Sequence, residues 1–255
     1  MYGRQSFFSG IPQAVKGLLI INAGMFLITE LLIITNNIDL KRMLGLYYFD
    51  SKMFQPYQIV THMFMHGNFM HLFFNMYALW LFGQVIERVW GPKKFVIYYF
   101  ITGFGALILH SLVKYFEYRS LISGLPPDAI EYIKTEGMNV LASGKNYTDS
   151  TLGELNIFLN YSYTVGASGA VMGLLIAFGM LFPNIELQII FIPIPIKAKY
   201  FVIGYAVIEM IWGISNIPGD NIAHFAHLGG MLFGFILVKI WGKGKGPKSH
   251  FYKEY

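Results

Sequence analysis

Six blocks of this chain, at about 14–36, 61–83, 94–116, 167–183, 199–216 and 222–241, stay apolar over the length an α-helix needs to cross a bilayer. No other feature limits the fold so strongly. Charged residues are 13% of the chain against 55% hydrophobic, and the mean hydropathy is +0.50. A soluble domain has about a quarter of its residues charged, so this chain lacks the surface that water requires. Lipid removes that requirement. The expectation is an all-α membrane protein, a bundle of six transmembrane helices. Several blocks contain Gly, Ser or His, which suits helices packed on one another. The fourth is the shortest, near the lower limit for crossing ~30 Å of hydrocarbon.

The chain divides into an N-terminal stretch 1–13, a membrane domain 14–241 with an external insert 117–165, and a basic tail 242–255. The first apolar run exceeds a signal-peptide core and no small-residue cleavage site follows, so it reads as a retained span. Arg88, Lys93, Lys94, Lys197, Lys199, Lys239, Lys243, Lys245 and Lys248 fall on one side of a six-span layout, with Arg4 and Lys16. That side is expected to be cytoplasmic, with both termini. Lys41, Arg42 and Lys52 are a mild exception on the outside. In the insert, Pro126-Pro127-Asp128 predicts a helix start with Asp128 as N-cap. Ala129, Ile130, Ile133 and Gly137 then oppose Glu131, Lys134 and Glu136, a pattern that suits either the membrane surface or a solvated loop helix.

Some chemistry is excluded at once. There is no cysteine, hence no disulfide and no thiol catalysis. The net charge of +5 carries no basic stripe interleaved with aromatics, so nucleic acid is not an expected partner.

Polar groups able to do chemistry are costly in hydrocarbon, which makes their clustering informative. The second block opens with His62, His66, His71 and Asn75, the fourth with Gly166-Ala167-Ser168-Gly169, and the last with His224-Phe225-Ala226-His227-Leu228-Gly229-Gly230. Ser168 stands where an external loop enters a helix, so nearby N–H groups and the helix dipole can stabilise an oxyanion. By itself the string also fits a serine N-cap. A serine needs a base, and His227 sits one turn into the last block at a similar depth. Gly230 and Gly234 have the small-xxx-small spacing that lets two backbones touch, so the fourth and sixth helices can bring imidazole and hydroxyl together. His71 and Asn75, four apart, share a helical face and can both donate to an oxyanion. The rival reading is zinc, from His62 with His66 or His224 with His227. Its weakness is that Asp220, on a loop, is the nearest carboxylate in sequence.

Together these clusters resemble the rhomboid intramembrane serine proteases. The matching strings are His71-Leu72-Phe73-Phe74-Asn75, Gly166-Ala167-Ser168-Gly169 and Ala226-His227-Leu228-Gly229-Gly230, in family order on the second, fourth and sixth spans. The likeness covers about 10–241 and leaves out the insert. It implies a six-span rhomboid-like bundle and a serine endopeptidase needing no cofactor or metal. It also implies a Ser168–His227 dyad without an acidic third member, and the sixth span carries no Asp or Glu near His227. His71, Asn75 and the Ser168 N–H would hold the oxyanion. Substrates would be single-span proteins passing beside the fifth helix, with Phe201, Tyr205 and Trp212 as gate residues, in a bacterial inner (plasma) membrane. Two positions depart from the family. Met172 replaces the aromatic that stacks on the catalytic imidazole, where a sulfur–aromatic contact would take over, and Tyr57-Gln58 replaces a Trp-Arg pair in the first loop. Glu87 matches an acidic residue that anchors the end of the second span. A silent rhomboid-like scaffold and a small transporter are the other classes. The scaffold would have lost Ser168 or His227, and the transporter would show inverted repeats.

Overall fold

The computed structural model describes residues 10–189, 192–215 and 223–242. Arg4, Asp220 and the basic tail beyond Gly242 lie outside the described residues. Among the described residues, eight principal helices follow in order: α1 Gln13–Asn36, α2 Phe69–Trp90, α3 Pro92–Leu121, α4 Pro127–Ala142, α5 Ser150–Asn160, α6 Ser168–Leu181, α7 Ala198–Ser215 and α8 His224–Trp241. Among the described residues, α1, α2, α3, α7 and α8 are long and apolar enough to cross a membrane. Their outward faces carry side chains that water would reject, such as Ile34 at 81%, Ile214 at 70% and Ile240 at 72% exposure. A lipid surround explains them.

Helix α6 is apolar but only 14 residues long. At 1.5 Å per residue it spans ~21 Å, less than the ~30 Å hydrocarbon layer. It can be short because protein surrounds it: Gly169, Ala170, Val171, Gly173, Leu174 and Ala177 are all buried. The main core lies around it, with Val15, Leu79, Ile86, Phe95, Tyr98 and Leu174 inside.

The structure moves two sequence expectations and adds a hairpin. The second span begins at Phe69 instead of 61, because Asn68 is extended and its side chain accepts from the His71 N–H, capping α2 there. Residues Gln58–Thr61 form one α turn, followed by a 3-10 turn His62–Phe64. In the insert, Pro126 takes the N-cap of α4 and Asp128 falls in the first turn. Pro127 fits the first helical position, whose N–H has no intrahelical partner in any case. Between α6 and α7, β1 Glu186–Ile189 and β2 Ile192–Lys197 pair antiparallel, with Glu186 opposite Lys197. Prolines alternating with isoleucines in β2 rule out a helix there.

Within α2, Leu79–Gly83 winds as a π turn. Beyond it, Glu87 is buried and accepts from the Ala14 N–H at 2.9 Å and the Val15 N–H at 2.8 Å. Its carboxylate satisfies the orphan donors that begin α1. The first loop is organised by Gln58, fully buried. Its Oε1 accepts from the Tyr47 N–H (3.4 Å) and the Gln55 N–H (3.1 Å), and its Nε2 donates to the Met43 and Met53 carbonyls, each at 3.1 Å. The loop without the Trp-Arg pair is thus held by one amide.

Helices α4 and α5 form a hairpin instead of a lone surface helix. Gly137 lies against Asn156 and Asn160, and Ile133, Leu155, Phe158 and Leu159 make a second small core with Tyr118. This hairpin docks on the first loop. Ser51 Oγ donates to the Leu159 carbonyl, and Lys134 pairs with Asp50 at 2.6 Å, where the Tyr118 hydroxyl also donates. Burial pushes Asp50 up, but the hydrogen bonds from Lys134 and Tyr118 outweigh it and hold the carboxyl below its ordinary range. Burial pushes Lys134 down, and Asp50 more than offsets it, so the ammonium is held above its ordinary value. The carboxylate's contribution is therefore present above its unfolded pKa of about 3.9 and lost as pH falls through the lower folded one. The lysine's is full below about 10.4 and lost as pH rises through the folded value. Hydrogen exchange of residues 127–142, corrected for intrinsic rates, is expected to stay flat at neutral pH and rise below about pH 4. Asp50→Asn should reproduce the rise at pH 7. Unchanged protection would remove this pair from the docking account.

Candidate active site

The chain enters α6 through Gly166, at φ 129° in the region that favours glycine. Ala167 is the N-cap and no side chain caps the helix. Ser168 is thus the first helical residue and not the cap, and its hydroxyl is spent on no hydrogen bond among the described residues. It stands among the unpaired N–H groups at the positive end of α6.

His71 lies in the first turn of α2. Its Nδ1 accepts from the Gly67 N–H at 3.3 Å. The bond assigns the proton of the neutral ring to Nε2, which makes Nε2 a donor. A Cβ placed on Gly166 would stand 2.8 Å from that Nε2 and 3.6 Å from Ser168 Oγ. Glycine is needed there so that the imidazole edge and the hydroxyl can border one space. One turn along, Asn75 is buried, and its Nδ2 donates to the His71 carbonyl at 2.9 Å. The amide has a second N–H to offer.

His227 is brought up by backbone contact. A Cβ on Gly230 would overlap the Gly169 carbonyl, and one on Gly234 would lie 3.1 Å from Gly173 Cα. The spacing of four on α8 thus meets a matching spacing of four on α6, while Gly229 seats α8 against Gly105 and Ala106 of α3. A cavity of about 1030 Å³ has His71, Asn75, Ser168, Met172, Tyr205 and His227 in its wall. All four residues expected to do the chemistry therefore face one space. No hydrogen bond joins Ser168 to His227 among the described residues; such bonds commonly tighten only with substrate. The insert contributes Ile157, Phe158 and Tyr161 to the same wall.

The sixth span carries no carboxylate near His227, as expected, but the fifth places one beside it. Glu209 of α7 is buried, at 3% exposure, and its Oε1 lies 3.0 Å from His227 Nδ1. Its Oε2 lies 2.6 Å from His224 Nδ1. Sequence proximity to His227 covers the sixth span alone, and the partner comes from the fifth. A signal was available: Glu209 is the one acidic residue in α7, and an ionisable group in a span marks a functional site by default.

The other histidines divide. His62 and His66 are not one turn apart on a helix, which removes that zinc pair. His62 Nδ1 bonds the Gln58 carbonyl at 2.7 Å, and His66 packs edge-on to His71 with ring centroids 5.1 Å apart. His110 of α3, a histidine outside the three sequence clusters, lines the cavity and bonds Thr164 Oγ1 at 2.9 Å through Nε2. Glu209, His224 and His227 could offer three metal ligands within 4.8 Å of one another. As they stand, each carboxylate oxygen faces one Nδ1 as in a hydrogen bond. Of the expected gate residues, Phe201 and Tyr205 are half-buried against the core, and Trp212 is exposed with its ring 5.8 Å from that of His224.

Apolar helices long enough to cross a membrane, with outward faces that suit lipid, around a cavity lined in part by histidine, serine and asparagine mark an integral membrane protein. The family model of the Rhomboid domain matches residues 53–244, three quarters of the chain, and the chain belongs to that family. It is similar to rhomboid-like protein 16, chloroplastic, of Arabidopsis thaliana, 25% identical over 245 residues, 95% of this chain and 66% of that one. It is also similar to the rhomboid protease AarA of Providencia stuartii, 28% identical over 187 residues, 69% of this chain and 52% of that one. A third relative is the mitochondrial presenilin-associated rhomboid-like protein of Mus musculus, 27% identical over 206 residues, 73% and 43% of the two chains. The chain spans 43% to 66% of these relatives' length.

Proposed function

We propose that this protein is an intramembrane serine endopeptidase that cleaves transmembrane protein substrates. The observation that carries the reading is the convergence of Ser168, His227, His71 and Asn75, from three helices, on one cavity. Ser168 Oγ attacks the scissile carbonyl as its proton passes to His227 Nε2. The tetrahedral oxyanion forms beside Nε2–H of His71, the free N–H of Asn75 and the Ser168 backbone N–H. The imidazolium returns its proton to the leaving amine. Water then releases the acyl group by the same steps. The resemblance to a named rhomboid protease supports this, as does an acceptor-bonded His71 whose outer nitrogen is left as a donor. The insert forms part of the cavity wall, and on this reading it shapes substrate access. Both termini are cytoplasmic, by the placement of the basic residues. A bacterial plasma membrane is the proposed location, and cell fractionation tests it.

The test is covalent. An alkyl fluorophosphonate is expected to label the purified chain at Ser168, and neither Ser168→Ala nor the heat-unfolded protein should react. A labelled single-span substrate is expected to be cut by the wild type alone. An unlabelled wild type that cuts nothing would favour a silent scaffold, and cleavage by Ser168→Ala at the wild-type rate would remove the serine mechanism.

A further inference from the structure

We propose that Glu209 is the positioning residue that completes a Ser168–His227–Glu209 triad, with one member from each of α6, α8 and α7. The proposal rests on the serine endopeptidase reading and deepens it. A carboxylate in an apolar helix is costly unless its oxygens are bonded, and here each oxygen faces one imidazole Nδ1. An ionised carboxylate only accepts. The 3.0 Å contact therefore assigns the His227 proton to Nδ1 and leaves the Nε2 lone pair as the base. When Ser168 gives up its proton, the imidazolium that forms has a negative partner already in place. Nothing is transferred to Glu209; its role is to fix tautomer, ring direction and charge. The ring needs such a hold, since among the described residues its one aromatic neighbour is His224, with ring centroids 6.5 Å apart and planes at 85°. Tyr205, one turn before Glu209, stands in the same cavity wall.

The arrangement makes the base depend on the seat of α7. Outward from Glu209, α7 shows Ile203, Val207, Ile208 and Ile211 to lipid. Near the site it is held inward by the Glu209 carboxylate on both imidazoles, by the Trp212 ring beside His224 and by Gly213 against Phe225. Moving α7 away from α8 would take the proton acceptor off Nδ1 and unmake the triad.

The experiment uses the full chain in proteoliposomes, comparing wild type, Glu209→Gln, Glu209→Asp and Ser168→Ala. It measures kcat and KM on a single-span substrate, the rate of fluorophosphonate labelling per folded molecule, and the melting temperature. Glu209→Gln keeps the shape and removes the charge. It is expected to lower kcat and the labelling rate together by about 10²- to 10⁴-fold, as loss of the acid does in other serine triads. KM should stay within about twofold if only the transition state is affected. Glu209→Asp is expected to recover part of kcat. If Glu209→Gln keeps kcat within about threefold of wild type, the proposal is overturned. A merely structural role would instead lower the melting temperature and raise KM, with labelling per folded molecule unchanged and Asp no better than Gln. Loss of activity against a chelator, restored by zinc with one ion bound per chain, would turn the cluster into a metal site. Unchanged cleavage by Ser168→Ala would remove the serine reading itself, whatever Glu209 does.

Discussion

Replacing His227 with alanine is expected to lower cleavage by about 10⁴- to 10⁶-fold, the range in which serine hydrolases respond to loss of their base. The hydroxyl of Ser168 bonds to no neighbour among the described residues and is close to inert as an alcohol, so nothing else stands ready to take its proton. Combining His227→Ala with Ser168→Ala should cost no more than either alone, because the two act as a unit. His71→Ala and Asn75→Ala are expected to be milder, about 10²- to 10³-fold each, since each removes one oxyanion donor and leaves the others. The measurement is kcat on a single-span substrate in proteoliposomes. Folding is checked by the melting curve, because His227→Ala also takes a partner from buried Glu209. A His227→Ala protein within tenfold of wild type would end the proposed assignment of the base.

The largest effect on stability is expected at Gly230. Any Cβ there meets the carbonyl of Gly169, a backbone atom that cannot rotate aside. Gly230→Ala is expected to cost about 1–3 kcal/mol, the usual range for overpacking, and Gly230→Leu enough to prevent the bundle from forming. For a chain of this size each kcal/mol moves Tm by about 2–4 °C. Gly24 of α1 and Gly204 of α7 are the controls, since a Cβ at either meets nothing within 4 Å. Alanine at those two positions should be neutral or stabilise by up to about 1 kcal/mol. Equal melting of Gly230→Ala and Gly204→Ala would mean that the α6–α8 contact is not as close as described. Because the same contact seats His227 against α6, partly folded Gly230→Ala protein should lose cleavage faster than it loses helix.

What could be read from the sequence was what lipid and helical period impose. Apolar length gave the spans, since hydrocarbon thickness acts on every residue of a block alike. The spacing of Gly230 and Gly234 gave the α6–α8 contact, although its counterpart at Gly169 and Gly173 was equally visible. Local competition was harder to see. The Asn68 side chain ends the helix that His62 and His66 would otherwise have joined, and Pro127 displaces Asp128 from the cap. Hairpin β1–β2 was missed because isoleucine-rich loop and short strand look alike without a partner. Glu209 went unseen for a different reason. Its meeting with His227 joins positions 18 apart on separate helices, and periodicity within one helix carries no information about which faces of two helices meet.

The π turn at Leu79–Gly83 has a consequence for α2 as a whole. At 3.6 residues per turn, each residue of a regular helix advances the face by about 100°. A wider turn shifts the phase of everything after it relative to everything before. In α2 the two ends serve different neighbours: Asn75 faces the cavity, and Glu87 faces the first turn of α1. The π turn lies between them and sets the angle at which one rod presents both groups. It works as a phase adjuster, so the cavity-facing Asn75 near one end and the Glu87 anchor near the other can be placed separately on a single continuous helix.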